Sequence, residues 1–553
     1  MTRRFCLSIN PGMLRRFAGV VFLSLAWGAQ GVAPRPHIVL IVADDLGWMD
    51  TGVCAAYETG VPVSRQFYET PNIDRLAKSG VLFARAYATP LCSPSRASIL
   101  TGREGPMFGF NNAEGLAASS KKTFAGRGLP APAGWSAYDK IPPKRPDPRY
   151  PVAAPSTCMA LPNGRPEENG FKVFCLPEML PGYRCGFIGK WHVGGGNITG
   201  SRPQDFGFEA IAYQDEGWSD YTPKKGRSRW HRPGPETTAD YLTDSLTELA
   251  VNWIQEQIRQ QPDQPFFLQL AHFAVHDPLQ AKPADIRYFE QKKSRGWNGQ
   301  DNAVYAAMIK ALDDSVGQIM ETLDRLGIRE NTLVCFLSDN GGVILKHDKV
   351  VTSNAPLRGR KATLWDGGIR IPMIASWPGN WKAGTVCKAF VDVTDLAPTL
   401  VAAAGLQPTA AIRRQWTGQS LLPLLDCSIQ GKFVPRPLFF HNPFNRPMQL
   451  KPGQPAEVMP PQSAMIQNGY KLIMSHNGSL ELYDLPDDPG ETNNLYRAMP
   501  ERANGMARVL MQWREKNIPD RYDTHLNPDY SPSVPGSMPF AVEGKGFTRQ
   551  YEK

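Results

Sequence analysis

The 553-residue chain lacks any Cys-x-x-Cys pair, and its nine cysteines are scattered without zinc-ligand spacing, which excludes a structural zinc module. It has no dense Lys/Arg run with interleaved aromatics, so nothing argues for a nucleic-acid partner. No internal repeat runs along it. Beyond its N-terminus no apolar run approaches the about 20 residues that a membrane span needs. Charged residues make up only 20% and hydrophobic residues 42%, the balance of an ordinary soluble globular protein with ample core. The length suits two or more structural units. Gly and Pro, at 50 each, imply many ordered but irregular loops.

The N-terminus reads as an export signal over residues 1–31. Arg3, Arg4, Arg15 and Arg16 precede the apolar run FAGVVFLSLAW, and small residues follow around Ala26, Gly28, Ala29 and Gly31. Met13 is an alternative start. Removing the first 28 residues removes four arginines and no acids, so the net charge falls from +9 to +5. That excess suits an anionic substrate. The expected location is periplasmic or secreted (a lysosomal-type compartment in a eukaryote), with no stable membrane insertion after signal cleavage. Export permits disulfides, and Cys158, Cys175 and Cys185 are the expected source of one. Setting Cys92 aside leaves seven cysteines after the signal, so at least one stays unpaired in a monomer.

The run HIVLIVADDLG (37–47) is continuously apolar and ends in two aspartates, the pattern of a strand buried on both faces of a parallel sheet. TPNIDRLAKSG predicts a helix with Thr70 as N-cap, Pro71 at the first position and Gly80 as the stop. FIGKWHVGGG (187–196) and PFFLQLAHFAVHDP (265–278) read as strands running into loops. Val304, Met308, Leu312, Val316, Ile319, Leu323 and Leu326 recur at spacings of three and four, predicting an amphipathic helix closed near Gly327. TLVCFLSDNGG (332–342) is another strand ending in polar residues. This alternation predicts an α/β fold: a large mixed, mostly parallel sheet sandwiched by helices, over 32–435. Residues 103–172 are rich in Pro, Gly and Ala and read as a long insertion. From 436 to 525 a hairpin turning at Asn477-Gly478 and the helix PERANGMARVLMQWREK indicate a smaller domain of antiparallel sheet plus helix. The tail, 526–553, is polar and expected to be loosely held.

Asp44, Asp45, Asp339 and Asn340 all fall at strand C-termini, the ligand-binding edge of an open parallel sheet. Converging carboxylates need a cation between them, and all-oxygen donors favour Ca²⁺, with Mg²⁺ possible, over zinc. In LCSPSRASILTGR (91–103), Ser93 reads as N-cap, Pro94 as the first helical residue and Gly102 as the stop. Cys92 therefore lies at the positive end of a helix, with Arg96 one turn in. From the residues alone Cys92 is open to two readings, a stabilised thiolate nucleophile or a buried structural cysteine.

LCSPSRASILTGR resembles the Cys-x-Pro-Ser-Arg and Leu-Thr-Gly-Arg signature of the type I, formylglycine-dependent sulfatases, of the alkaline-phosphatase-like superfamily. IVLIVADDLGW, TPNIDRLAKSGVLFARAYA, YRCGFIGKWHVGG, AVHDPLQ, LSDNGG, PLRGRKATLWDGGIRIP and LYDLPDDPGETNNL resemble further sulfatase blocks, in family order, across residues 37–495. The resemblance implies that Cys92 is oxidised to Cα-formylglycine by a formylglycine-generating system. One hydroxyl of the hydrated aldehyde would attack sulfur, and the other would expel sulfate. It implies that Asp44, Asp45, Asp339 and Asn340 hold a divalent ion, usually Ca²⁺, which also contacts residue 92. It gives Arg96 to the aldehyde hydrate, and Lys190 and His192 to the surroundings of residue 92, with His192 as the base that collapses the adduct. His276 and Lys361 match groups at the sulfate and the leaving-group oxygen, where one protonates the departing alkoxide. His272 matches no family position; His347 and Lys349 are expected near substrate.

The chain departs from the family at Asp366, where glutamate is usual, in the compressed LPEMLPGYRCG, and in the 103–172 insertion, expected to reshape the substrate mouth. The resulting expectation is an exported sulfatase (sulfuric ester hydrolase) acting on sulfate monoesters, with a sulfated carbohydrate as the expected substrate. The alternatives are a phosphodiester or phosphonate hydrolase on the same fold, or a non-catalytic glycan-binding protein.

Overall fold

The computed structural model describes residues 35–112, 148–153, 161, 173–194, 201–214, 220–222, 237–346, 348–425, 433–535 and 537–539. The proposed signal, most of the 103–172 insertion, Cys158, Cys427 and His347 lie outside them. Arg35–Lys553 form one compact unit.

Its centre is an eight-stranded sheet built from β1 (His37–Ala43), β2 (Val81–Phe83), β3 (Arg184–Lys190), β4 (Glu209–Gln214), β5 (Phe266–Ala271), β6 (Thr332–Ser338), β7 (Met373–Ser376) and β8 (Thr385–Cys387). Their order is β8-β2-β7-β6-β1-β5-β3-β4. β1 runs parallel to both β5 and β6, and β3 is parallel to both β5 and β4. β7 alone is antiparallel to its neighbours, β2 and β6, which makes the sheet mixed.

The apolar run of β1 is explained by what covers it. Ile38, Leu40 and Val42 face one core with Ala97, Ile99 and Leu100 of α2 (Cys92–Thr101). Val39, Ile41 and Ala43 face another, with α1 (Pro71–Lys78), α3 (Leu242–Gln260) and α4 (Ala303–Arg325). Period-two side chains meeting helices on both faces leave no polar position in the strand after His37. Each such Val, Leu or Ile contributes about 1.5–3 kcal/mol of burial.

Two helix starts differ from expectation. α2 begins at Cys92 with Leu91 as N-cap, because the Ser93 hydroxyl donates to the His192 carbonyl at 2.8 Å instead of capping. Thr70 precedes α1 but makes no side-chain cap; its Oγ1 accepts from the Gly52 N–H at 2.7 Å and donates to Asp74 at 3.2 Å. α4 starts one residue before the expected periodicity, capped by the Asn302 side chain.

The smaller sheet contains β9 (Leu438–Asn442), β12 (Gln462–Gln467), β13 (Tyr470–Ser475) and β14 (Leu480–Asp484), antiparallel in that order. Beside it β10 (Arg446–Met448) and β11 (Glu457–Met459) pair as a separate ribbon. Two Asn-Gly turns shape the sheet where one was expected. Asn468 and Gly469, both at positive φ, join β12 to β13, and Asn477-Gly478 lies between β13 and β14. α5 (Pro500–Asn517) packs on this sheet. The tail is anchored at its start, since His525 and Leu526 pair with Ala153 and Val152. Cys175 and Cys185 are free, so the expected disulfide does not join these two; Cys54, Cys335 and Cys387 are also free and buried.

Candidate active site

β1 and β6 are adjacent and end in register, Ala43 beside Ser338, which puts Asp44, Asp45, Asp339 and Asn340 on one sheet edge. The turn after β5 is zipped to the same edge, with Asp44 N–H donating to Ala274 O at 2.8 Å and Val275 N–H to Asp44 O at 2.6 Å. That fixes His276 beside Asp45, Nε2 to Oδ2 3.7 Å. β3 ends at Lys190, whose ammonium is ion-paired with Asp44. Gly189 sits at φ 108, where a Cβ would fall 1.9 Å from Ala271 O; only glycine lets β3 approach β5 this closely before Lys190. Lys361 is placed by its own backbone, its N–H on Gly342 O and the next N–H, of Ala362, on Pro90 O, just before Cys92.

α2 presents Cys92 and Arg96 to this edge. The ligand atoms of Asp44, Cys92 and Asp339 lie within 4.8 Å of one another. Arg96 Nε and Nη2 reach Asp339 Oδ2 at 2.9 and 2.7 Å, and Nη1 donates to Lys190 O at 2.9 Å. Lys361 Nζ lies 2.5 Å from Asp45 Oδ1, which also accepts from Asn340 Nδ2 at 2.8 Å. All ten sequence-selected site residues thus converge. His272 does not; it is buried against Ser315 of α4 at 2.9 Å. Lys349 is exposed, in a short hairpin against Lys346.

The cluster is buried, and its charges set its protonation. Burial pushes Asp44 up, against the pull of Lys190. Burial also opposes ionisation of Asp45, but Lys361 and His276 outweigh it and hold that carboxyl below its usual range. Asp339 is pushed up to about 6 by burial and by Asp44. Burial holds His276 down at about 4 and, with Lys190 and Arg96, keeps His192 neutral. Burial would strip the Lys361 proton, but the Asp45 carboxylate holds it on. Burial raises the Cys92 thiol despite Lys190 and Lys361, so the unmodified residue is no stabilised thiolate.

Several polar atoms remain open. Asp44 Oδ1, Asn340 Oδ1 and both ring nitrogens of His192 are buried without a hydrogen-bond partner among the described residues. Asp45 and His192 also hold left-handed backbone, at φ 63 and 55. Two unpartnered hard oxygens beside two further carboxylates are the donor set of a hard divalent cation, so the residues present fit one. The mouth lies on the side of His276 and Lys361, whose side chains keep 17% and 13% exposure, whereas those of Lys190, Asp44 and Arg96 keep at most 1%.

Sequence reasoning missed Arg446 of β10, which reaches the active-site wall through Asn442, itself bonded to the Ala362 carbonyl beside Lys361. No spacing marks it, because it arrives from the C-terminal ribbon through tertiary packing.

The sulfatase family model matches residues 36–125 and 150–406, and a second model, N-sulphoglucosamine sulphohydrolase, C-terminal, matches 360–516. N-acetylgalactosamine-6-sulfatase of Mus musculus is 32% identical over 449 residues, covering 76% of this chain and 72% of the relative. A sulfatase of Formosa agariphila is 29% identical over 549 residues, covering 87% and 89%. The crystal structure of Ps i-CgsB in complex with k-i-k-neocarrahexaose superposes with TM-score 0.65 at 25% identity, over 90% of this chain and 95% of that one. A phosphonate monoester hydrolase of Agrobacterium radiobacter shares the fold, with TM-score 0.53 at 19% identity over 87% and 96%.

Proposed function

The chain belongs to the sulfatase family and is a sulfuric ester hydrolase, and we propose that it desulfates a carbohydrate through a formylglycine made from Cys92. The observation that carries this reading is the convergence of Cys92 with three cations, two histidines and an open set of oxygen donors on one sheet edge. Relatives named for sugar sulfates, and a neighbour bound to a neocarrahexaose, support the substrate class. The basic N-terminal segment supports export to an oxidising compartment.

Asp44, Asp45, Asp339 and Asn340 would hold a Ca²⁺ ion, with residue 92 alongside; when bound, the ion supplies polarisation of a sulfate oxygen and of the attacking hydroxyl. Arg96, fixed by Asp339 and the Lys190 carbonyl, holds the hydrated side chain of residue 92 in the attacking orientation. Lys190 sits behind it on Asp44. His192 is neutral with both nitrogens open, so it can take the proton released when the adduct collapses to aldehyde and sulfate. His276 commits Nδ1–H to the Asp277 carbonyl at 2.8 Å, which leaves Nε2 to exchange a proton on the leaving-group side. Lys361 retains its proton and faces the same side, where it stabilises and protonates the departing alkoxide.

The shared fold with a phosphonate monoester hydrolase keeps one other reading in view, attack at phosphorus. Matured enzyme assayed side by side on an aryl sulfate, a phosphate diester and a phosphonate monoester decides between them. The sulfate ester should be turned over with the highest kcat/KM; a phosphonate or diester preference would overturn the proposal.

A further inference from the structure

We propose that Arg446, with Arg360 anchored to the same ribbon, forms a second anion subsite at the mouth, which binds a carboxylate or a further sulfate on the sugar chain apart from the group being cleaved. The inference rests on the sulfatase reading, because it needs the mouth to admit a sulfated carbohydrate.

The guanidinium of Arg446 is built into the site's wall from two sides. Its Nη2 donates to Asn112 Oδ1 at 3.0 Å, on the segment that follows α2. Its Nε reaches Asn442 Oδ1 at 3.4 Å. Asn442 in turn donates from Nδ2 to Ala362 O at 2.9 Å, the residue after Lys361. Phe444 lies under the guanidinium carbon, 5.3 Å from ring centroid. Arg446 is therefore tied, through one intervening amide, to the backbone that carries Lys361 on the open side of the cluster.

Its partners are all neutral. Among the described residues no carboxylate pairs with Arg446, and Nη1 makes no hydrogen bond. Arg96 and Arg370 by contrast each have an acid, Asp339 and Glu58. Burial brings Arg446 down to about 10, and Cys92 is its one opposing influence. A half-buried guanidinium held by amide oxygens, without a counter-charge, retains its full attraction for an anion. Arg360 repeats the pattern. Its Nη1 donates to Gln449 O at 3.2 Å, just past β10, and its Nε is buried without a hydrogen-bond partner among the described residues. Two arginines anchored by backbone and amide oxygens, Arg360 preceding Lys361 in the chain and Arg446 tied to Ala362 through Asn442, offer more positive charge than one reacting sulfate uses.

The test compares kcat/KM of wild type, R446Q and R446K on three substrates: a neutral-sugar monosulfate, a monosulfated disaccharide bearing a uronic carboxylate, and a disulfated disaccharide. R446Q should lose about ten- to hundred-fold more on one of the two doubly charged substrates than on the monosulfate. The loss should fall mainly in KM, with partial recovery in R446K. Whichever doubly charged substrate shows the larger loss identifies carboxylate or second sulfate as the group bound. Equal losses on all three substrates, or no loss on any, would overturn the subsite while leaving the sulfatase reading intact. Wild type inert towards every sulfate ester would overturn both. Thermal melting of R446Q distinguishes a damaged fold, which lowers all three rates together and counts against the subsite.

Discussion

Two buried clusters of charge lie on either side of the segment after Lys361, and they differ in how they are closed. In the strand-end cluster Asp44, Asp45 and Asp339 each meet one cation, yet Asp44 Oδ1, Asn340 Oδ1 and the ring of His192 stay open. In the other, Lys471 Nζ is locked between Asp366 Oδ1 at 2.9 Å and Glu491 Oε1 at 2.8 Å. There the Glu491 carboxylate also accepts the Asp366 N–H at 2.7 Å, and Tyr87 OH donates to Asp366 Oδ2 at 3.1 Å. The first arrangement leaves capacity for ligands. The second is spent on joining the small sheet to the large one. Buried charge by itself therefore says little about function; what marks the first cluster is open hard-oxygen atoms among converging carboxylates.

The comparison is broken most severely at residue 92. C92A should reduce sulfate ester turnover by at least about a thousandfold while shifting Tm by no more than about 2 °C, read by steady-state kinetics and calorimetry. The closed cluster should respond in the opposite way. K471M leaves two carboxylates facing each other in the interior, and should cost about 3–5 kcal/mol in denaturant unfolding. Enough folded K471M at low temperature should retain turnover within about tenfold of wild type.

A third contrast uses the two ends of β1. At its start His37 accepts the Phe266 N–H at 3.3 Å on Nδ1 and stacks on the Phe266 ring, and burial lowers its pKa to about 4. With the folded value below the unfolded one, the unfolded chain binds the proton first as pH falls from about 6.5 to 4. Stability should therefore drop through that window, by up to about 3 kcal/mol from this residue. H37N should show a correspondingly shallower loss in unfolding free energy between pH 7 and 4. The smallest effect is expected at Asp366, where family members usually carry glutamate. D366E adds a methylene between Lys471 and Tyr87 and should cost about 1 kcal/mol, read as a Tm decrease of a few degrees.

The same contrast explains what was legible in the sequence. Strand ends, helix periodicity in α4, the four oxygen donors and the helix-end place of Cys92 and Arg96 could be read from local order, whereas Lys190, His192, His276 and Lys361 were legible only through the resemblance to the sulfatases. The closed cluster could not be read, because Asp366 and Glu491 lie in quoted blocks but nothing in those blocks points to Lys471, the residue that joins them. Asp366 was marked as a departure, but its partner Lys471 was invisible. Local chemistry also misled at Ser93 and Thr70. Both have good cap residues' side chains, yet long-range partners, the His192 carbonyl and the Gly52 N–H, claimed them. Arg446 escaped notice for the same reason as Lys471: its meaning comes from Asn112 and the Lys361 loop, far away in sequence.

The central claim, that Cys92 is a precursor of the reacting group, is tested most directly by mass spectrometry of the peptide containing residue 92, from active protein matured in its own host. The account predicts the aldehyde mass at residue 92, in a fraction that rises in step with sulfate ester turnover across preparations. Thiol alone at that position, in protein that still cleaves sulfate esters, would contradict it.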